Sequence, residues 1–267
     1  WLRAPPPWWL AARLAAAEVR RASWDAALRR RELAARPGRP RLRLLLVRHG
    51  QSQANTAPQV VGGRDVATPL TELGEAQARR VGERLRAQGL APDRVFASHA
   101  VRARATAAIA CRALGFEEAR IEVEPRLVEF SQGELQGRDR TEAYRADGPV
   151  MRSIRREAMF FRPPGVSPDG DLGESQFDVE QRMAAFVDEL LDGTGRGGAP
   201  TTVVAFTHGI ALRSFLRGVL GADMSFTVSS ETENTSITEL RYDPKAGSLG
   251  GWCVVRVNDA AHLDGLK

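Results

Sequence analysis

The sequence predicts a three-layer α/β/α sandwich with a mostly parallel central sheet and an inserted lid. Three observations predict it. Apolar runs of strand length alternate with segments of helical periodicity, which fits repeated strand–helix–strand units better than a bundle or an all-β fold. Two of those runs, LLLVRHG at 44–50 and VVAFTHG at 203–209, end on the same His-Gly pair. The 267 residues, 43% of them apolar, are enough for one substantial core.

Residues 1–41 stand apart as a basic extension, closed by the linker-like run ARPGRPR at 35–41. Residues 1–43 hold eleven arginines against Glu18, Asp25 and Glu32, a balance of +8; with +5 for the whole chain, residues 44–267 carry −3. Four of the five tryptophans also lie in this leader. Residues 8–35 have the composition of a helix, with Leu10, Leu14, Ala17, Trp24 and Leu28 on a face that Arg21 interrupts. Four readings stay open: a solvated extension, an organellar targeting remnant, a helix docked on the body, or an interfacial helix drawn to anionic membrane.

The domain proper is expected over 42–267. Leu42–Val47 reads as a buried strand broken only at Arg43. Glu72–Gln88 reads as a helix capped by Thr71 and stopped at Gly89; Gly74 at the third position past the cap precludes a full capping box. Asp93–Ala97 is a short strand, Arg102–Leu114 a helix ending near Gly115, and Ile121–Val123 another strand. A lid is expected at about 126–175, because Arg126 to Asp171 is irregular and rich in proline, glycine and charge. Helical character resumes at Asp178–Leu191. There follow strand Thr202–Thr207, a helix over Ile210–Leu220, and late strands at Ser236–Tyr242 and Trp252–Val257.

Composition also excludes. No apolar run reaches the roughly 20 residues of a membrane span. Cys111 and Cys253 lack metal-like spacing and read as reduced, buried thiols. Four histidines are too few and too scattered for a zinc cluster. Positive charge is segregated in the leader with no aromatic stripe beside it, so no nucleic-acid partner is expected.

The repeated His-Gly figure suggests chemistry. A neutral imidazole can attack phosphorus and split phosphoryl transfer into two easier steps, provided donors and positive charge surround the phosphoryl oxygens. Arg48 precedes His49, and its planar fork suits phosphate. Gly50 permits close approach, and Gln51 and Ser52 are placed to begin a helix whose free N–H groups attract anions. His208 is the partner at the second strand end. Ligands of open α/β sheets sit at the carboxyl ends of the strands, where both histidines fall. The plainer alternative for each is a satisfied strand-end residue.

These residues carry a resemblance. Over about 42–263 the chain resembles the histidine phosphatase superfamily, also called phosphoglycerate mutase-like. The family's RHG signature matches Arg48, His49 and Gly50, which implies that His49 becomes phosphorylated and Arg48 binds phosphate; Ser52 and Asn55 match its following polar positions. LTELGEAQA at 70–78 resembles its supporting helix. SHAVRARATA at 98–107 resembles SPLxRAxQTA and points to Arg102 as a second phosphate ligand, although His99, Ala100 and Ala105 depart from the pattern. Without the family, Arg102 and Arg104 would be hard to tell apart. In RLVEFSQGELQG at 126–137, Glu129 matches the proton donor, in an apolar setting between Val128 and Phe130 that would favour the protonated form; Glu124 and Glu134 are nearby alternatives. VVAFTHG carries His208 into the pocket. NTSITEL at 234–240 and VNDAAHL at 257–263 resemble later signatures, with Thr235 and Ser236 structural and His262 an ordinary exposed histidine.

MFFRPPGVSPDGDLGESQFDVEQR at 159–182 resembles a FYRPPGGES-type segment, making Arg162, Glu174 and Ser175 candidates for substrate binding. The mutase branch carries an E-R-H-Y-G run at the acid, whereas Glu129 is followed here by Phe130, Ser131, Gln132 and Gly133. The resemblance therefore implies a metal-independent, cofactor-free phosphomonoester hydrolase acting on a small phosphorylated metabolite. A phosphoglycerate mutase-type transfer and a catalytically idle phosphate- or protein-binding relative are the alternatives. A cytoplasmic location is expected, with organellar targeting or peripheral membrane association open through the leader, and a homodimer is left open.

Overall fold

The computed structural model describes residue 39 and residues 41–193, 201–245 and 251–266. The helix expected over 8–35 lies outside them. Six strands form one mixed sheet: β1 (Leu42–Arg48), β2 (Arg94–Ala97), β3 (Ile121–Val123), β4 (Thr201–Thr207), β5 (Ile237–Tyr242) and β6 (Trp252–Asp259). Their order is β3-β2-β4-β1-β5-β6; the first four run parallel, and β5 and β6 add an antiparallel pair at one edge.

Strand residues alternate between the sheet's two faces, and helices cover both. Leu45, Val47, Val204 and Phe206 pack with Val81 and Leu85 of α1 (Glu72–Ala87) and with Ala107 and Cys111 of α2 (Val101–Leu114). Leu44, Leu46, Val203 and Ala205 turn the other way. There they meet Met183 and Phe186 of α5 (Gln176–Gly193) and Leu212 and Phe215 of α6 (Gly209–Leu220). The sandwich expected from sequence is the one observed. Between β3 and α5 the chain is irregular, with 3-10 turns and two short helices, α3 (Arg140–Ala143) and α4 (Pro149–Glu157). Helix α7 (Met224–Ser229) follows α6.

Local chemistry sets the boundaries. Thr71 Oγ1 accepts the Gly74 N–H at 3.1 Å and caps α1 as expected. Helix α5 starts two residues before the expected Asp178, because Ser175 and Asp178 exchange hydrogen bonds: Ser175 N–H to Asp178 Oδ2 at 2.8 Å, and Asp178 N–H to Ser175 Oγ at 3.1 Å. Arg39, in the expected linker, is buried and ion-paired with Asp188 and Asp192 on α5. Cys111 is buried, but Cys253 is exposed. It shares the outer face of edge strand β6 with Val255 and Val257, where no further layer covers it among the described residues. No helix among the described residues is long and apolar enough to cross a membrane.

Candidate active site

The parallel register of β1 and β4 builds the site. Arg48 stands opposite Thr207, so the next residues, His49 and His208, emerge side by side at the carboxyl edge. The His49 N–H donates to Thr207 O at 2.9 Å, and the two ring centroids are 5.0 Å apart. His49 Nδ1 lies 2.7 Å from Gly50 O. A carbonyl can only accept, so Nδ1 carries the proton and Nε2 keeps its lone pair. Burial, with the charges of Arg102 and Arg48 beside it, pushes the His49 pKa well below the ordinary value. The ring is neutral, with its lone pair on Nε2.

Gly50 is needed for a reason other than ligand approach. A Cβ at Gly50 would collide with Gly74 O, and a Cβ at Gly74 with Gln51 O. The loop that follows His49 therefore lies directly on the first turn of α1. Gln77 Oε1 accepts the Gln51 N–H at 2.9 Å, and the Thr71 N–H donates to Gln51 O at 2.9 Å. The helix expected from Gln51 and Ser52 is only one 3-10 turn, Gln53–Thr56. Its free donors are used internally, since Ser52 N–H and Oγ both bond Asn55 Oδ1, at 3.0 and 3.1 Å.

Of the two arginines, Arg102 contacts the His49 ring directly and Arg48 lies beside it in the same cavity. The Arg102 Nε–H points at His49 Nε2 from 3.3 Å, and its remaining donors bond Asp65 O and Gly63 O. Arg102 is buried and Arg104 exposed, which separates two residues that periodicity left equivalent. Arg48 donates to Thr232 O, while its buried Nε has no hydrogen-bond partner. Burial lowers its pKa to about 10, still far above neutrality. His208 is fully buried; its Nε2 lies 2.9 Å from Ser98 Oγ and its Nδ1 has no partner. Burial, then the charge of Arg102, pushes its pKa well down.

Glu129 faces the same cavity in a setting unlike the apolar one expected. Its Oε1 accepts the N–H groups of Phe130 at 2.8 Å and Ala211 at 3.0 Å, and its Oε2 that of Ile210 at 3.2 Å. The first turn of α6 thus holds the carboxylate beside His208. The alternatives fall away: Glu124 pairs with Arg126, and Glu134 with Arg138.

Arg48, His49, Ser52, Asn55, Arg102 and Glu129 line one cavity of about 1120 Å³. Arg162, Glu174 and Ser175 do not, and neither does His208, which is fully buried although Gly209 and Ile210 next to it in sequence line the cavity. The Arg162 fork is bound by Asp178 on the surface, and Ser175 is the cap of α5. Glu174 is drawn away by Arg64 and Arg182. Burial opposes its charge, but these two partners outweigh burial and hold its carboxyl below the usual range. Its place is behind the site: Arg64 Nε and Arg182 both donate to Glu129 O at 3.1 Å, so the cluster anchors the acid's main chain.

Sequence reasoning missed several supports. Asn234 Nδ2 donates to His49 O at 3.0 Å and to Asn55 Oδ1 at 3.3 Å. Thr235, at φ 59°, donates its N–H to Arg48 O at 3.0 Å. His262 is half-buried rather than exposed, with Nε2 2.9 Å from Thr235 Oγ1; burial and Arg84 lower its pKa to about 4. The available signal was a polar triplet, Asn-Thr-Ser, directly before a buried strand. Arg213 also lines the cavity. Among the described residues no group of three His, Cys, Asp or Glu side chains gathers as metal ligands.

Residues 44–258 match the model of a family described as the histidine phosphatase superfamily (branch 1). A probable phosphoglycerate mutase of Yersinia enterocolitica is 30% identical over 223 residues, covering 84% of this chain and 95% of that relative. A protein of the same description from Photorhabdus laumondii is 31% identical with the same coverage. Among solved structures, a mycobacterial glucosyl-3-phosphoglycerate phosphatase is 28% identical with a TM-score of 0.66, covering 82% of this chain and 99% of that one. A phosphoglycerate mutase from Bacillus anthracis, at 19% identity and a TM-score of 0.65, covers 86% of this chain and 98% of its own; it shares the fold.

Proposed function

This chain belongs to the histidine phosphatase superfamily, and within it we propose a phosphomonoester hydrolase that works through a phosphohistidine at His49. The observation that carries this reading is the pair of buried donors without partners, Arg48 Nε and His208 Nδ1, beside an imidazole whose Nε2 lone pair takes a 3.3 Å contact from the Arg102 Nε–H, a donor that a phosphoryl oxygen would draw off. Buried donors are costly unless something accepts from them, and a phosphoryl group supplies the acceptors.

In the first step His49 Nε2 forms a bond to phosphorus as the ester P–O bond breaks. Arg48, Arg102 and His208 take the charge on the equatorial oxygens. Glu129, entering as the acid, gives its proton to the departing oxygen, so the metabolite leaves as an alcohol. In the second step the Glu129 carboxylate takes a proton from water, the oxygen attacks phosphorus, the N–P bond breaks, and inorganic phosphate departs. Glu129 ends protonated and the cycle closes.

A second reading has an observation behind it, since the curated relatives above are described as probable phosphoglycerate mutases. Glu129 is followed here by Phe130, Ser131, Gln132 and Gly133, without the arginine and tyrosine of the mutase branch's E-R-H-Y-G run, and this difference favours water as the acceptor. The test is a panel of sugar phosphates, 2- and 3-phosphoglycerate, phosphoamino acids and nucleotides, with free phosphate and phosphate migration followed separately. Phosphate release without migration is expected. Migration without release would establish the transferase, and no turnover of any member would leave a ligand-binding relative.

A further inference from the structure

Ser98 closes β2, the strand on the far side of β4 from β1. Its N–H donates to Phe206 O at 3.0 Å, which places its side chain against the end of β4, where His208 begins α6. Serine and histidine are both fully buried there. Their 2.9 Å contact is a hydrogen bond whose direction decides what His208 can do.

A hydroxyl has one proton to give and lone pairs to accept with. The Ser98 oxygen accepts a long bond from the Ala100 N–H at 3.4 Å. For its proton, the one acceptor within range among the described residues is His208 Nε2. Running the bond the other way, from Nε2–H to the serine oxygen, would leave two buried groups unsatisfied, the hydroxyl proton and the Nδ1 lone pair, whereas with Nε2 accepting only the Nδ1–H is left. A buried imidazole between Arg102 and His49 is neutral and holds a single N–H. If Nε2 accepts, that N–H is on Nδ1.

We infer that Ser98 is a positioning residue that locks His208 in the Nδ1–H tautomer, so that the ring offers a donor and not a lone pair to a phosphoryl oxygen. The use of that donor rests on the hydrolase reading above; the tautomer itself does not. With the opposite tautomer a lone pair would face the oxygens of a dianion, and His208 would repel the group it is placed to hold. Ser98 touches neither substrate nor nucleophile, and acts only by fixing which nitrogen of its neighbour is protonated.

The test uses the full chain with 15N-labelled histidine, the His208 signals being assigned by their loss in His208→Asn. Wild type and Ser98→Thr should show a protonated Nδ1 and an unprotonated Nε2; Ser98→Ala should move the proton wholly or partly to Nε2. In parallel, kcat for nitrophenyl phosphate should fall about ten- to hundredfold in Ser98→Ala, with KM changed less than about threefold, and recover in Ser98→Thr. A protonated Nε2 in wild type overturns the inference at any level of activity. An alanine variant with wild-type tautomer and kcat overturns it as well. Should that variant unfold at assay temperature, the wild-type and threonine spectra still decide. A wild type with the Nδ1–H tautomer and no turnover would sink the hydrolase reading and leave the tautomer assignment standing.

Discussion

The ends of β1 and β4 carry the same His-Gly pair side by side, yet the two rings engage their neighbours through opposite nitrogens. His49 gives its Nδ1–H to the carbonyl of Gly50 and is left with a basic Nε2. His208 has Nε2 engaged by the Ser98 hydroxyl and is left with Nδ1. A neighbour that can only accept leaves the first ring its lone pair on Nε2, and under the inference above a neighbour that donates leaves the second ring its N–H on Nδ1. The residue type is shared; the partner of its hidden nitrogen divides the labour.

The comparison breaks most sharply at the nucleophile. His49→Ala should reduce turnover by at least about 10³-fold and abolish acid-labile phosphate incorporation; retained incorporation would move the nucleophile elsewhere. His208→Ala should cost about 10²–10³-fold in kcat while the phosphoenzyme still forms slowly in rapid-quench experiments. Loss of all incorporation there would make the two rings equivalent and end the division. Glu129→Gln should lose about 10²-fold on alkyl phosphates and far less on nitrophenyl phosphate, whose leaving group needs no proton. An equal loss on both would remove Glu129 from the acid role.

Two smaller effects sharpen it. Both rings have pKa values pushed below the ordinary value of about 6.5, so the neutral forms should persist and the acid limb of kcat/KM attributable to His49 should lie below that pH. Stability follows with a definite sign. As pH falls past about 6.5 the unfolded histidines take up protons that the buried ones refuse, so the unfolded state binds more protons and stability drops. The slope is at most about 1.4 kcal/mol per pH unit for each ring. Urea unfolding between neutrality and the acid side should show this slope, and His208→Asn should flatten it. Gly74→Ala, which pushes a methyl into the backbone under His49, should destabilise by about 1–3 kcal/mol. An unchanged urea midpoint would show that the loop gives way freely.

Much of this was legible in sequence because the sheet is built from local signals. A strand that ends in histidine and a second like it in a parallel layer predict neighbouring rings once the register is even. Arg102 was harder: Arg104 sits two positions away, and only burial beneath the loop at Gly63 and Asp65 tells them apart. Glu174 was misplaced because a carboxylate near a pocket motif cannot be distinguished, from its own neighbourhood, from one claimed by Arg64, 110 positions earlier. Ser98 stood in plain view in SHAVRARATA, but its meaning depends on a ring 110 residues downstream. His262 looked like surface for the same reason. Long-range ion pairs and hydrogen bonds do not print a periodicity.

One more property follows from how the nucleophile's main chain is held. Thr207 takes the His49 N–H from the β4 side, while Asn234 and Thr235 hold the carbonyls of His49 and Arg48 from the β5 side. The backbone of His49 is thus held from both flanks. Under the proposed mechanism, the traffic of a catalytic cycle belongs to the small molecules, with alcohol out and water in, while the imidazole keeps its station.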